Sequence, residues 1–167
     1  MILDLDQFLA GLSKLASGID NVVVATYNNL DSYKESCEFN AGGRKISILC
    51  GGADYANVET SVGCIPNEGA QVTKTTGATK VNSGFAQVAS GSLVVLYAGN
   101  SRFDEMVRLA QRLADRGVKV ALVSCGCNKY VFDRFETNDN ISLVVPIHSC
   151  CNGGRKDLSR IVAQLLN

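Results

Sequence analysis

Net charge is the first thing this sequence lacks: sixteen Lys and Arg balance sixteen Asp and Glu. No stretch gathers Lys or Arg into the basic stripe that nucleic acid or an acidic membrane surface needs, so neither is expected as a partner. No apolar run approaches the roughly 20 residues that span a bilayer. The opening MILDLDQFLAGLSKL carries Asp4 and Asp6 where a secretion signal has its basic region. A soluble, cytoplasmic protein is the expectation. C-x-x-C spacing is missing too. The seven cysteines include Cys125 and Cys127 as C-x-C and Cys150 and Cys151 as neighbours, neither being the spacing of zinc sites or thioredoxin-like motifs. Reduced thiols are expected, with Cys50 and Cys125 acting as small hydrophobes at strand ends, and neither metal nor cofactor is expected. The alternative is a cluster of Cys125, Cys127, Cys150 and Cys151, which follow neighbouring strands of one sheet and would suit a soft metal or a redox pair. Histidine is nearly absent, His148 being the only one.

What the chain does have is a rhythm of short apolar runs and amphipathic stretches, in 167 residues that suit a single domain with one core. Leu5, Phe8, Leu9, Leu12, Leu15 and Ala16 fall on one helical face that stops at Gly18. NVVVATY (21–27) is apolar at consecutive positions, as for a strand covered on both faces. NLDSYKESCEF (29–39) reads as a weaker helix, with Leu30, Tyr33 and Cys37 on one side and AGG as its stop. KISILCGG (45–52) is the second strand and SLVVLYA (92–98) the third. SRFDEMVRLAQRLADRG (101–117) is the clearest helix: Ser101 with Asp104 resembles a capping box, Phe103, Met106, Val107, Ala110, Leu113 and Ala114 form a buried stripe, and Gly117 ends it. Arg108, Arg112 and Arg116 read as a solvated, ion-paired face. VKVALVSCG (118–126) and ISLVVPI (141–147) are the fourth and fifth strands, YVFDRF (130–135) is a short turn of helix, and RKDLSRIVAQLL (155–166) is a final helix. Between them, about 53–90 forms an irregular Thr- and Gly-rich insertion, with VTKTTGATKV (72–81) expected as a hairpin around TGAT. Ordered near a site, Thr73, Thr75, Thr76 and Thr79 would supply hydroxyls there, and Lys74 or Lys80 a charge.

Apolar strands alternating with helices predict an α/β fold: a three-layer α/β/α sandwich around a five-stranded parallel sheet, order 2-1-3-4-5, wound as in flavodoxin-like domains. In that order the winding reverses between strands one and three, and ligands of open α/β sheets sit beyond the carboxyl ends at such a crevice. Asn28 and Asn29 follow the first strand, and AGNSR (98–102) follows the third. Gly99 allows close approach, Asn100 and Ser101 offer donors, and Arg102 stands at a helix start, where backbone N–H groups and the helix dipole favour an anion. Ser101 serves equally as a plain helix cap.

From LYAGNSR through ADRGVKVALVS to ISLVVP, the chain resembles the sugar isomerase (SIS) domain family, its phosphoheptose isomerase-like members especially. The likeness runs from about Ser92 to Pro146 and covers the earlier half in element order alone. It implies a phosphosugar-binding domain, assembled as a homodimer or larger with sites between protomers. The family's S-x-S-G-x-S/T turn here has Leu96 and Ala98 in place of two serines, while the final helix carries neither the Glu nor the His of the phosphoheptose enzymes. A regulatory or divergent, non-catalytic binder is therefore expected, with Asn28, Asn29, Gly99, Asn100, Ser101 and Arg102 around a small phosphorylated ligand. The alternative is an aldose–ketose phosphosugar isomerase with His148, Glu59 or Glu68 as acid/base. A von Willebrand A-like interaction module is a second alternative, on the rhythm of TTGATKVNSGFAQVA before SLVVLYAGNS. It lacks the D-x-S-x-S metal motif and needs a strand ahead of the first helix, for which the sequence shows no residues.

Overall fold

Twelve elements follow one another along the chain: β1 (Ile2–Asp4), α1 (Leu5–Leu15), β2 (Asn21–Tyr27), β3 (Tyr33–Ala41), β4 (Arg44–Cys50), β5 (Thr73–Lys80), α2 (Val81–Ala86), β6 (Leu93–Ala98), α3 (Phe103–Asp115), β7 (Lys119–Val123), β8 (Ile141–Val145) and α4 (Gly154–Leu166). They come from a computed structural model that describes residues 2–27, 30–51, 73–98, 103–124, 139–145 and 154–166. The fold is α/β. Its sheet has eight strands in the order β1-β8-β7-β6-β2-β4-β3-β5. Neighbours from β1 to β4 run parallel, while β3 pairs antiparallel with both β4 and β5.

The sheet is thus mixed, and larger than the five parallel strands expected. β4, β2, β6, β7 and β8 stand as the winding rule requires, and β1, β3 and β5 extend them at the two edges. Covering layers lie on both faces. α1 and α4 pack over Val22, Val24, Ile46, Ile48 and Phe39, while α2 and α3 pack over Val23, Ala25, Leu49, Val94 and Leu96. α1 buries Leu5, Phe8 and Leu12, each burial stabilising by about 1.5–3 kcal/mol.

Four expectations are corrected. Residues 33–41 form a strand, not a helix: Cys37 and Phe39 are buried at alternate positions, and Tyr33, a member of the supposed helical face, is 68% exposed. AGG is no helix stop. Ala41 pairs with Arg44 across Gly42 and Gly43, whose φ values of 57 and 82 suit a two-residue hairpin turn with both central residues left-handed. The TGAT hairpin is absent as well. Thr73–Lys80 is one continuous strand, paired with β3 from Asn40↔Thr73 to Tyr33↔Lys80, because β3 offers a partner along its whole length. Lastly, a strand does precede the first helix: β1 pairs with β8 at the sheet edge, so that criterion no longer separates the von Willebrand A-like alternative. Of the irregular insertion, 73–90 contains β5 and α2, while 52–72 lies outside the described residues, as does YVFDRF.

Candidate functional site

Parallel strands bring their carboxyl ends to one edge of the sheet, and the winding decides which two of them open a crevice. From β2 the chain proceeds to β4 on one side and later reaches β6 on the other. β2 and β6 pair in register from Val22↔Leu93 to Tyr27↔Ala98. The two loops singled out in the sequence therefore leave the sheet from paired residues. Asn28, Asn29, Gly99, Asn100, Ser101 and Arg102 themselves lie outside the described residues.

Directly beneath this edge sits a group the sequence reading passed over. Thr26 is 8% exposed, and its Oγ1 is buried with no hydrogen-bond partner among the described residues. Leaving a buried hydroxyl unpaired costs about 1–3 kcal/mol. The strand's alternation turns Thr26 toward the α1 and α4 side, beside its register partner Tyr97 on β6, which packs against that layer. Cys50 at the end of β4 and Ser124 just past β7 are also buried near this edge. The signal was available: Thr26 is the one hydroxyl in the run VVVAT, next to the winding reversal.

A second concavity lies on the opposite face, where no helix among the described residues covers β3 and β5 fully. It is a groove of about 360 Å³. Alternation supplies its floor: Ser36 and Glu38 from β3, Lys45 and Ser47 from β4, Thr75 and Thr79 from β5. The far sides of the same strands carry Cys37, Phe39, Ile46 and Ile48 into the core. One wall is α2, which comes close at Gly84: a Cβ there would stand 3.2 Å from Leu49 Cδ2. Gln87 follows the helix into the lining, and Asn21 at the start of β2 presents an Oδ1 that is buried without a partner among the described residues. Glu38 and Lys45 pair at 3.2 Å with both side chains about half exposed (45% and 47%), an arrangement worth at most about 1 kcal/mol. Thr75 and Thr79 thus serve this groove and not the crevice. The charge of Lys80 lies over the Tyr33 ring, 5.5 Å from its centroid.

Other candidates resolve more simply. Cys37 and Cys50 are buried thiols. Cys64, Cys125, Cys127, Cys150, Cys151, His148, Glu59 and Glu68 lie outside the described residues. Among those described, no group of three or more His, Cys, Asp or Glu could hold a metal ion, and no helix is long and apolar enough to cross a membrane. Arg108, Arg112 and Arg116 are all exposed, and Arg116 also donates from Nη2 to the Val88 carbonyl, tying the end of α3 to the loop before β6. No family model, curated protein or solved structure matches the chain.

Proposed function

We propose that the protein binds a small phosphorylated ligand, of the sugar-phosphate class, at the carboxyl-edge crevice between β2 and β6, as a regulatory or divergent SIS-like domain. One observation carries the reading: the winding reverses between two strands whose paired ends lead into AGNSR and Asn28–Asn29, and an unpartnered, buried Thr26 hydroxyl waits one residue below them. An N–H-rich turn opening a helix suits an anion. The Thr26 hydroxyl adds a donor with no competing partner. Assembly as a homodimer or larger belongs to the same proposal, and light scattering that finds a monomer at all concentrations removes that part.

Thermal melts with hexose and heptose phosphates, with the free sugars and inorganic phosphate as controls, provide the test. A ligand at a hundredfold excess over its Kd raises stability by about 2.7 kcal/mol. Thr26→Val should melt higher than the parent without ligand, because about 1–3 kcal/mol of unpaired-hydroxyl cost is removed. The same variant should bind a phosphorylated sugar roughly ten- to a hundredfold more weakly, the equivalent of a charge-assisted hydrogen bond of about 1.5–3 kcal/mol. Ser101→Asp keeps a capping side chain but sets a negative charge against the phosphate, so binding should vanish while the melting temperature holds. If no phosphorylated sugar stabilises the parent, the reading fails.

A further inference from the structure

The groove over β4, β3 and β5 is distinct from the crevice: it opens on the α2 side and reaches the amino end of β2 at Asn21. We propose that it is a binding site for a neutral polyhydroxylated molecule, a monosaccharide or polyol. Its volume of about 360 Å³ is at the lower end of the ~300–1,000 Å³ usual for small-molecule sites.

The lining fixes the chemistry. Among the described residues around the groove, the only charges are Glu38 and Lys45, and they neutralise one another. No unpaired charge awaits an ion. Ser36, Ser47, Thr75 and Thr79 carry hydroxyls, which both donate and accept, and a ligand rich in hydroxyls matches such a wall in either sense. The unpartnered Asn21 Oδ1 discriminates further, since an acceptor needs a donor. A phosphate monoester dianion or a carboxylate group brings acceptors alone and leaves Asn21 as it is, and inorganic phosphate, though it has an O–H, finds no unpaired cation in the described lining. An ammonium group would donate, but the one carboxylate of the described lining, Glu38, is already paired with Lys45. A neutral hydroxyl donates and needs no counter-charge. Leu49 and Val88 give the C–H face of a sugar something to rest on.

Gly77 is the remaining clue. A glycine inside a strand weakens it, and its φ is not one that demands glycine. A Cβ there would meet only Ser36 Oγ, at 3.5 Å, so the missing side chain keeps the floor open without relieving any clash.

The test is an amide-resolved NMR titration of the full chain with D-glucose, D-galactose, myo-inositol and mannitol, and separately with inorganic phosphate. At least one neutral compound should move the resonances of Ser36, Ser47 and Gln87, and phosphate should not. Gly77→Val fills the floor with a good strand former and should weaken that compound tenfold or more. Asn21→Leu should also weaken it tenfold or more while raising the melting temperature. Gln87→Ala, just past α2, should weaken it with the parent spectrum otherwise kept, and serves if either other variant fails to fold. The proposal is overturned if none of the four compounds moves these resonances, if phosphate moves them equally, or if a folded Gly77→Val or Gln87→Ala binds as the parent does. Responses near Thr26 and Tyr97 report on the crevice alone, so either site can fail without the other.

Discussion

Replacing Asp4 by Ala removes the acceptor that holds the first turn of α1. Asp4 Oδ1 accepts from the Gln7 N–H at 2.7 Å, and Gln7 Oε1 accepts from the Asp4 N–H at 3.0 Å. We expect the loss of this reciprocal cap to destabilise the protein by about 1 kcal/mol in chemical denaturation. In the sequence, D-x-x-Q ahead of an apolar stripe is itself a helix start. Arg44 has a larger local role, donating from Nε to the Ile19 carbonyl at 3.1 Å and from Nη2 to the Ala16 carbonyl at 2.8 Å. It fastens the start of β4 to the carboxyl-terminal end of α1. Arg44→Ala should cost about 1.5–3 kcal/mol, and Arg44→Lys should recover only part of it, since an ammonium cannot copy the two-point geometry. Cys37 and Cys50 are 2% and 0% exposed. Cys50→Ala should leave the number of thiols modified quickly in the native protein unchanged, and an equivalent lost from the fast phase would contradict that burial.

At the level of elements, the strands legible in the sequence are those buried on both faces by helices, since continuous apolar runs report that burial directly. β3, and the single unbroken run of β5, are not legible in the sequence for a common reason. Each is one-sided, and what defines it is a neighbour strand elsewhere in the chain. Leu30, Tyr33 and Cys37 happen to match helical spacing, whereas the alternation of Ser36, Cys37, Glu38 and Phe39 is too short to stand out. Gly-Gly after Ala41 was equally ambiguous, because a helix stop and a tight hairpin both draw on left-handed glycine. The crevice could be located from winding order alone. The groove could not, since its floor exists only once 33–41 is a strand. Phe39→Ala should cost about 3–5 kcal/mol, while Glu38→Ala, next to it but on the open face, should change stability by less than about 1 kcal/mol. Equal effects in denaturant melts would argue against the strand assignment.

For the molecule as a whole, β2 and β6 lie inside the sheet between covering layers, whereas β5 is its last strand, with Thr75, Thr76 and Ala78 exposed. Amide hydrogen exchange should therefore be slowest in β6 and β2 and markedly faster in β5. The opposite edge has a temporal consequence. Among the described strands β1 is paired with β8 alone, Ile2 against Leu143, so β1 finds its partner only after β2 to β7 have been made. Closing so long a loop adds little to the equilibrium cost, which grows by only about 0.6 kcal/mol per doubling of length, but contacts between distant residues form slowly. Until α4 arrives, with Arg160 meeting Asp6 at 2.8 Å, the apolar side of α1 lacks one of its covers. During synthesis that side waits for α4, so α1 and β1 complete their packing only once residues 141–166 have been made.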